Sequence, residues 1–242
     1  MLIPLEELEL LTDDASRVET ASNNPWVSAG VRGKPDGCKS CLYRGIGQGF
    51  CPDDVPAEPI VGILLEAPGG DEALEQRPMV GRAGQFWERR IINRLGYKRE
   101  DVAIFNTIRC RPPNNEYPTG QIRTHAEQLC RQYDGVQGIN GKLVPGGVRK
   151  FNPNLFIATF HPAATFRTPA IYRLILKDME KAFRFGTSGK GYRPLVLMGD
   201  KALSLVAPWT EGKGGLRKWR SHWWHGSWPF GDDSNKKGFR EI

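Results

Sequence analysis

Four apolar runs of strand length punctuate this chain: PIVGILLEA at 59–67, DVAIFNT at 101–107, NLFIATF at 154–160 and PLVLMGD at 194–200. Their continuous apolar character, without polar alternation, marks strands buried on both faces. Between them the period lengthens. GQFWERRIINRLG at 84–96 sets Phe86, Ile91 and Leu95 on one side of a helix that Gly96 stops. TGQIRTHAEQLCRQY at 119–133, PAIYRLILKDMEKAFRF at 169–185 and KALSLV at 201–206 read as further helices. Such alternation predicts an α/β fold, a mainly parallel sheet with helices on both faces. Function in these sheets gathers at the C-terminal ends of strands. The phrases EAPGGDE (66–72), NTIRCRPP (106–113), HPAATFR (161–167) and MGDK (198–201) all fall at such ends.

The remaining stretches bound the domain. Residues 12–37 are rich in Ser, Asn, Gly and Pro and read as loosely ordered, 134–150 as a Gly-rich connector, and the last residues as a flexible tail. The expected organisation is a lead-in at 1–37, one domain at 38–230 and a tail at 231–242. The 242 residues, 39% hydrophobic and 25% charged, suit one substantial core. A net charge of +7 from 34 Lys plus Arg favours an anionic partner such as nucleic acid. No apolar run approaches the roughly 18 residues of a membrane span, and the start MLIPLEELELLTDD is acidic. A cytoplasmic location without membrane contact is expected.

Cys38 and Cys41 form a C-x2-C pair, and Cys110 and Cys130 lie far along the chain. That pattern closes a four-thiolate cage on an iron–sulfur cluster or on zinc. The fifth cysteine, Cys51, is left over. Beside the cage, Pro68-Gly69-Gly70 lets backbone approach a ligand closely while Glu66 and Glu72 set two carboxylates near the mouth. The plain alternative is a strand-to-helix turn with solvated acids. Asn106 can donate to and accept from the Watson–Crick edge of a base, or satisfy a turn. His161 lies just past a strand, its chain direction fixed by Pro162.

Taken together, C-x2-C, EAPGxxE, RPxVGRAGQ, NxxxCRPP, a downstream Cys and HPAA resemble the family 4 uracil-DNA glycosylases, the iron–sulfur branch of that superfamily. The resemblance covers residues 38–168. It implies a three-layer α/β/α sandwich on a mainly parallel four-stranded sheet, and a structural [4Fe-4S] cluster on Cys38, Cys41, Cys110 and Cys130, with zinc as the alternative. The implied activity is base flipping followed by hydrolysis of the N-glycosidic bond of deoxyuridine in single- or double-stranded DNA, by a monomer. By the family's pattern Asn106 reads the base, Ala67, Pro68 and Met79 line its pocket, and His161 stabilises charge on the departing uracil. Glu72 aligns with the glutamate linked to water activation, and Glu66 serves the pocket backbone.

Three departures qualify the resemblance. The family's GRPF reads Gln76-Arg77-Pro78-Met79 here, so a stacking ring is replaced by a thioether. The family's leucine wedge after HPAA is Thr165, with Phe166 beside it; Phe166 either props the DNA stack or packs on the domain, and Arg167 follows for DNA contact. The third is order: PLVLMGDKALSLV and LRKWRSHWW (216–224) follow the HPAA motif instead of preceding it, so the last third looks permuted. In that tail Arg217 and Arg220 interleave with tryptophans as a DNA-contacting loop, or the tryptophans close the core. Two other functions stay open: a catalytically weak or inactive DNA-binding iron–sulfur module associated with replication, and a glycosylase for another modified or deaminated base.

Overall fold

Val, Ile and Leu dominate the four predicted strands, and each folds as one: β1 at Val61–Leu65, β2 at Val102–Asn106, β5 at Leu155–Thr159 and β6 at Pro194–Met198. The computed structural model describes residues 34, 36–132, 136–137, 143–144, 153, 155–199, 202 and 224–226. A short strand, β7 at Trp224–Gly226, completes one all-parallel sheet in the order β2-β1-β6-β5-β7. Pairing is in register: Val61 faces Val102, Leu65 faces Asn106, Gly62 faces Leu195 and Thr159 faces Met198.

Both faces of the sheet are buried, as continuous apolar runs require. One face carries Val61, Ile63, Val102, Ile104, Ile157, Val196 and Met198, which pack with α2 (Arg82–Trp87) and α4 (Ile171–Gly186). The alternate positions Leu64, Phe105, Leu195 and Leu197 are equally inaccessible. Along α4, Tyr172, Ile175, Met179, Ala182 and Phe183 are buried at three- and four-residue spacing, the stripe of a helix lying on a sheet. The turn between β1 and α2 includes a short helix, α1 (Gly70–Glu75). After α2 the same rod loosens into a π turn at Glu88–Ile92 and ends at Gly96, whose φ of +81° suits glycine. Helix α3 spans Gly120–Gln132.

The order read from the sequence is accommodated within one sheet. Strand β6, later in the chain, inserts between β1 and β5, while the strand leading to His161 stays outside it. All four expected strands are present, and a fifth, short one adds to them. Trp224–Gly226, read as part of a loop, pairs with β5 through Phe156–Trp224 and Ala158–Gly226. Without it β5 would present an open edge of unpaired N–H and C=O groups; three residues are too few to show alternation in sequence. Similarly, the connector at 134–150 holds a small antiparallel pair, β3 (Val136–Gln137) with β4 (Leu143–Val144). The predicted helix at 201–206 lies outside the described residues apart from buried Ala202, as do the lead-in to residue 33 and the tail from 227. Among the described residues no helix is long and apolar enough to cross a membrane.

Ile157→Ala, in the middle of β5, should cost about 2–5 kcal/mol in urea unfolding. Leu74→Ala, at a side chain 59% exposed, should change stability by no more than about 0.5 kcal/mol.

Candidate active site and thiol cluster

In-register parallel pairing brings four strand ends to one edge, and a cleft of about 500 Å³ opens there. Glu66, Ala67, Pro68, Glu72, Met79, Asn106, His161 and Arg167 all line it. The predicted catalytic, base-facing and mouth residues are thus neighbours across the sheet, although 95 positions of chain separate Glu66 from His161.

His161 caps a short 3-10 turn, Pro162–Phe166, and its Nδ1 accepts from the Ala163 backbone N–H at 3.2 Å. An accepting Nδ1 in a neutral imidazole leaves the proton on Nε2. Burial alone lowers the pKa of His161 from 6.5 to about 4. The ring is therefore a neutral Nε2–H donor at the cleft. Asn106 closes β2 and is 1% exposed; its Oδ1 is buried without a hydrogen-bond partner among the described residues. Such an unmet acceptor is costly in a folded core and marks a place kept for a donor from a ligand.

The two acids differ. One oxygen of Glu72, Oε1, accepts from the Gly81 N–H at 2.8 Å. Both Gly69 and Gly81 make room for that carboxylate: an added Cβ would stand 2.5 Å from Oε2 at Gly69 and 3.0 Å from Oε1 at Gly81. Glu66 is tied through its main chain, where its carbonyl accepts from Thr107 Oγ1 and from the Ile108 N–H. Its carboxylate reaches toward Gly199, whose φ is +92° and whose position for a Cβ lies 4.0 Å from Glu66 Oε2 and 3.8 Å from His161 Cβ.

Phe166 does not line this cleft. Its ring meets Phe86 edge-on at 5.7 Å, and the Arg82 guanidinium lies 4.4 Å above it. Thr165 is fully buried, its hydroxyl donating to the Pro162 carbonyl at 2.6 Å. Arg217 and Arg220 lie outside the described residues.

The thiols collect beside the cleft. Cys41 and Cys130 pack against a cluster of Tyr43, Phe50, Ile108, Cys110 and Ala126. Three ties assemble it. Gln48 and Arg111 exchange backbone hydrogen bonds of 2.9 Å each way. Gly47 sits so close to Cys110 that a Cβ would lie 2.6 Å from the cysteine's own. The Leu42 N–H donates to His125 Nδ1 on α3 at 3.1 Å, drawing in the helix that carries Cys130. Burial, chiefly, raises the Cys38 thiol, pushes Cys110 to about 12 and Cys130 to about 11; neighbouring thiols raise all three, while the Arg109 charge lowers Cys38 and Cys130. Cys38, Cys110 and Cys130 thus each lie within electrostatic reach of other thiols of the set. Among the described residues no group of three or more His, Cys, Asp or Glu side chains is arranged to hold a metal ion. Tyr43 Oη and Arg44 Nη1 are buried there without a hydrogen-bond partner among the described residues. A donor set of thiols, with unmet N–H and O–H groups around it, fits an inorganic cluster whose sulfurs accept hydrogen bonds. Cys51 is fully buried elsewhere, its thiol raised by burial and by the charges of Glu72 and Asp53.

A protein-family model described as the uracil DNA glycosylase superfamily matches residues 52–183, more than half of the chain. The chain belongs to this superfamily. A type-4 uracil-DNA glycosylase of Pyrobaculum aerophilum is 30% identical over 177 residues, 62% of this chain and 89% of the relative. Those of Sulfurisphaera tokodaii (27% over 194 residues; 68% and 87%) and Thermotoga maritima (32% over 143 residues; 50% and 74%) are similar as well. The similarity supports the type-4 branch that the cysteine and HPAA motifs indicated.

Sequence reasoning missed Tyr117, Asn115, Arg82 and Asp71, which also line the cleft. Tyr117 is the most constrained: its hydroxyl donates to Glu127 at 3.1 Å and lies 2.8 Å from Thr107 Oγ1. Burial and the Glu127 charge raise its pKa, so the phenol stays neutral. A lone aromatic in the polar loop NNEYPTG, just after a strand-end motif, was the available clue.

An NMR titration of His161 should find a midpoint near 4 rather than 6.5. Because the unfolded ring takes its proton first, this group's contribution to stability is complete above about pH 6.5 and is lost as pH falls toward 4. A midpoint at 6 or above would contradict the desolvated donor.

Proposed function

We infer that this protein is a uracil-DNA glycosylase, which hydrolyses the N-glycosidic bond of deoxyuridine in DNA and so begins base-excision repair. The observation that carries this reading is the pairing, within one cleft, of an unsatisfied buried Asn106 Oδ1 with a neutral His161 whose proton lies on Nε2. A uracil extruded from the stack, at a cost of a few kcal/mol, offers a donor at N3 and an acceptor at O4 to the Asn106 amide. Its O2 then falls to His161.

As the bond between C1′ and N1 breaks, its electron pair leaves with the base and spreads onto O2, while the sugar gains oxocarbenium character. The His161 Nε2–H meets that developing charge; a preorganised donor of this kind is worth about 3 kcal/mol. Water adds at C1′ and its proton passes through solvent to the departed uracil anion, leaving an abasic sugar and neutral uracil. Glu72, held by Gly81, positions the water and balances the sugar's positive charge, while Glu66 secures the pocket backbone. Arg167 is exposed at the mouth, where it meets phosphate, in keeping with the +7 charge of the chain. The enzyme acts as a monomer.

Cys38, Cys41, Cys110 and Cys130 hold a [4Fe-4S] cluster. The buried, unmet Tyr43 hydroxyl and Arg44 N–H beside these thiols favour the cluster over zinc, because inorganic sulfides would accept their hydrogen bonds. The cluster supplies a covalent tie between the segment of Cys38 and Cys41, the end of β2 and α3. Arg109 offsets part of the negative charge of the thiolates.

A uracil-containing oligonucleotide, incubated with the protein and then treated with alkali, should be cut at the uracil. His161→Ala should lower kcat by about 10²–10³-fold. Absence of cleavage by the wild type, with DNA still retained, would overturn the enzymatic reading. Anaerobically purified protein should be brown and contain iron and sulfide; Cys110→Ser should lose both and unfold at lower temperature. Zinc in their place would reject the cluster. The rate of uracil release should stay flat through pH 6.5 and fall only toward pH 4, where His161 takes a proton.

A further inference from the structure

Met79 is an unusual residue for its backbone. It lines the base-side cleft and is 4% exposed, yet its φ is +56°, a left-handed conformation that a long side chain adopts only under constraint. Two features meet it. The first is Arg99, 7% exposed, whose Nη1 donates to the Met79 carbonyl at 3.1 Å and whose Nη2 donates to the Pro78 carbonyl. The same guanidinium is anchored by Asp54, with Nε at 3.2 Å and Nη2 at 2.9 Å from Oδ2. Asp54 is in turn fixed to β2 by backbone bonds with Ile104 of 3.0 and 2.8 Å. The second is Gly84, where a Cβ would stand 2.1 Å from the Met79 carbonyl oxygen.

We propose that Arg99, anchored by Asp54, is a positioning residue for base recognition: it holds the Pro78 and Met79 carbonyls so that Met79 forms a fixed wall of the cleft. Arg99 touches no substrate. A guanidinium is suited to the task because its planar fork serves two carbonyls and a carboxylate at once, which a lysine ammonium does not. Where the family's stacking ring is replaced by a flexible thioether, rigidity that the side chain lacks is supplied by its backbone. The kinetic part of this proposal rests on the uracil-release reading; the structural part does not.

The test uses protein labelled with 13C at its methionine methyls, of which the chain has four. In Arg99→Gln the Met79 resonance, identified with Met79→Leu, should shift and broaden. Those of Met179 and Met198, both fully buried, should remain in place and report an intact core. KM for the uracil oligonucleotide should rise about ten- to a hundredfold, the loss expected for hydrogen bonds from a charged group, with kcat changed much less. Arg99→Lys should recover part of that loss. If Arg99→Gln does not fold, Arg99→Lys is read by the same two measurements. An unmoved Met79 methyl in a folded variant overturns the proposal, and so does a moved methyl with unchanged KM. Should the wild type release no uracil, the proposed function fails while the methyl spectrum still decides whether Arg99 sets Met79.

Discussion

Everything at the cleft depends on parallel strands pairing in register. Neighbouring strands lie about 4.8 Å apart, so strands that start level also finish level. Leu65 stands opposite Asn106, and Thr159 opposite Met198. The residues just beyond those ends, Glu66, Gly199 and His161, therefore form a row with Asn106 along one edge. A slip of one position would turn the entire apolar set of a strand to its other face. That cost fixes where the chemistry-bearing side chains stand.

Ion pairs hold the loops that this row needs. Asp53 meets Arg109 at 2.5 Å with 8% and 4% of their side chains exposed, and Asp54 meets Arg99 at 2.9 Å. Adjacent acids thus serve opposite sides: one pair faces the thiols, the other faces the Pro78–Met79 turn. Such pairs contribute little net stability once desolvation is counted, but removing one partner leaves an uncompensated charge. Their value here is conformational. Among the described residues, the buried polar atoms of Asn106, Tyr43 and Arg44 that lack a hydrogen-bond partner lie at the places where a ligand is expected, while those of Trp87 and Thr159 have no such assignment.

Cleft and thiols are joined by more than adjacency. Arg123 and Tyr117 both donate to Glu127, and the Tyr117 hydroxyl lies against Thr107, whose own hydroxyl donates to the Glu66 carbonyl. Glu127 lies three residues before Cys130 on α3. The helix that supplies a thiol is thereby connected to the turn that supplies the acids. β2 does the same more directly, since Asn106 ends the strand and Cys110 follows four residues later.

Local composition determined much of this. Strands at 61–65, 102–106, 155–159 and 194–198 are short apolar runs, and α4 is an amphipathic stripe, so both are encoded by residues close in sequence. The motifs at strand ends singled out Glu66, Glu72, Asn106 and His161 as candidates, and the fold brings these to one cleft. What sequence left undecided was where separate pieces meet. β6 inserts between β1 and β5 despite coming last of the three, and β7 covers an edge that exists only once β5 is placed. The left-handed Met79, the proton on His161 Nε2 and the anchoring of Arg99 by Asp54 depend on groups up to tens of residues away. Periodicity records which side of an element is apolar, but hydrogen-bond partners and desolvation arise only when elements are packed, and those were decided by the tertiary structure.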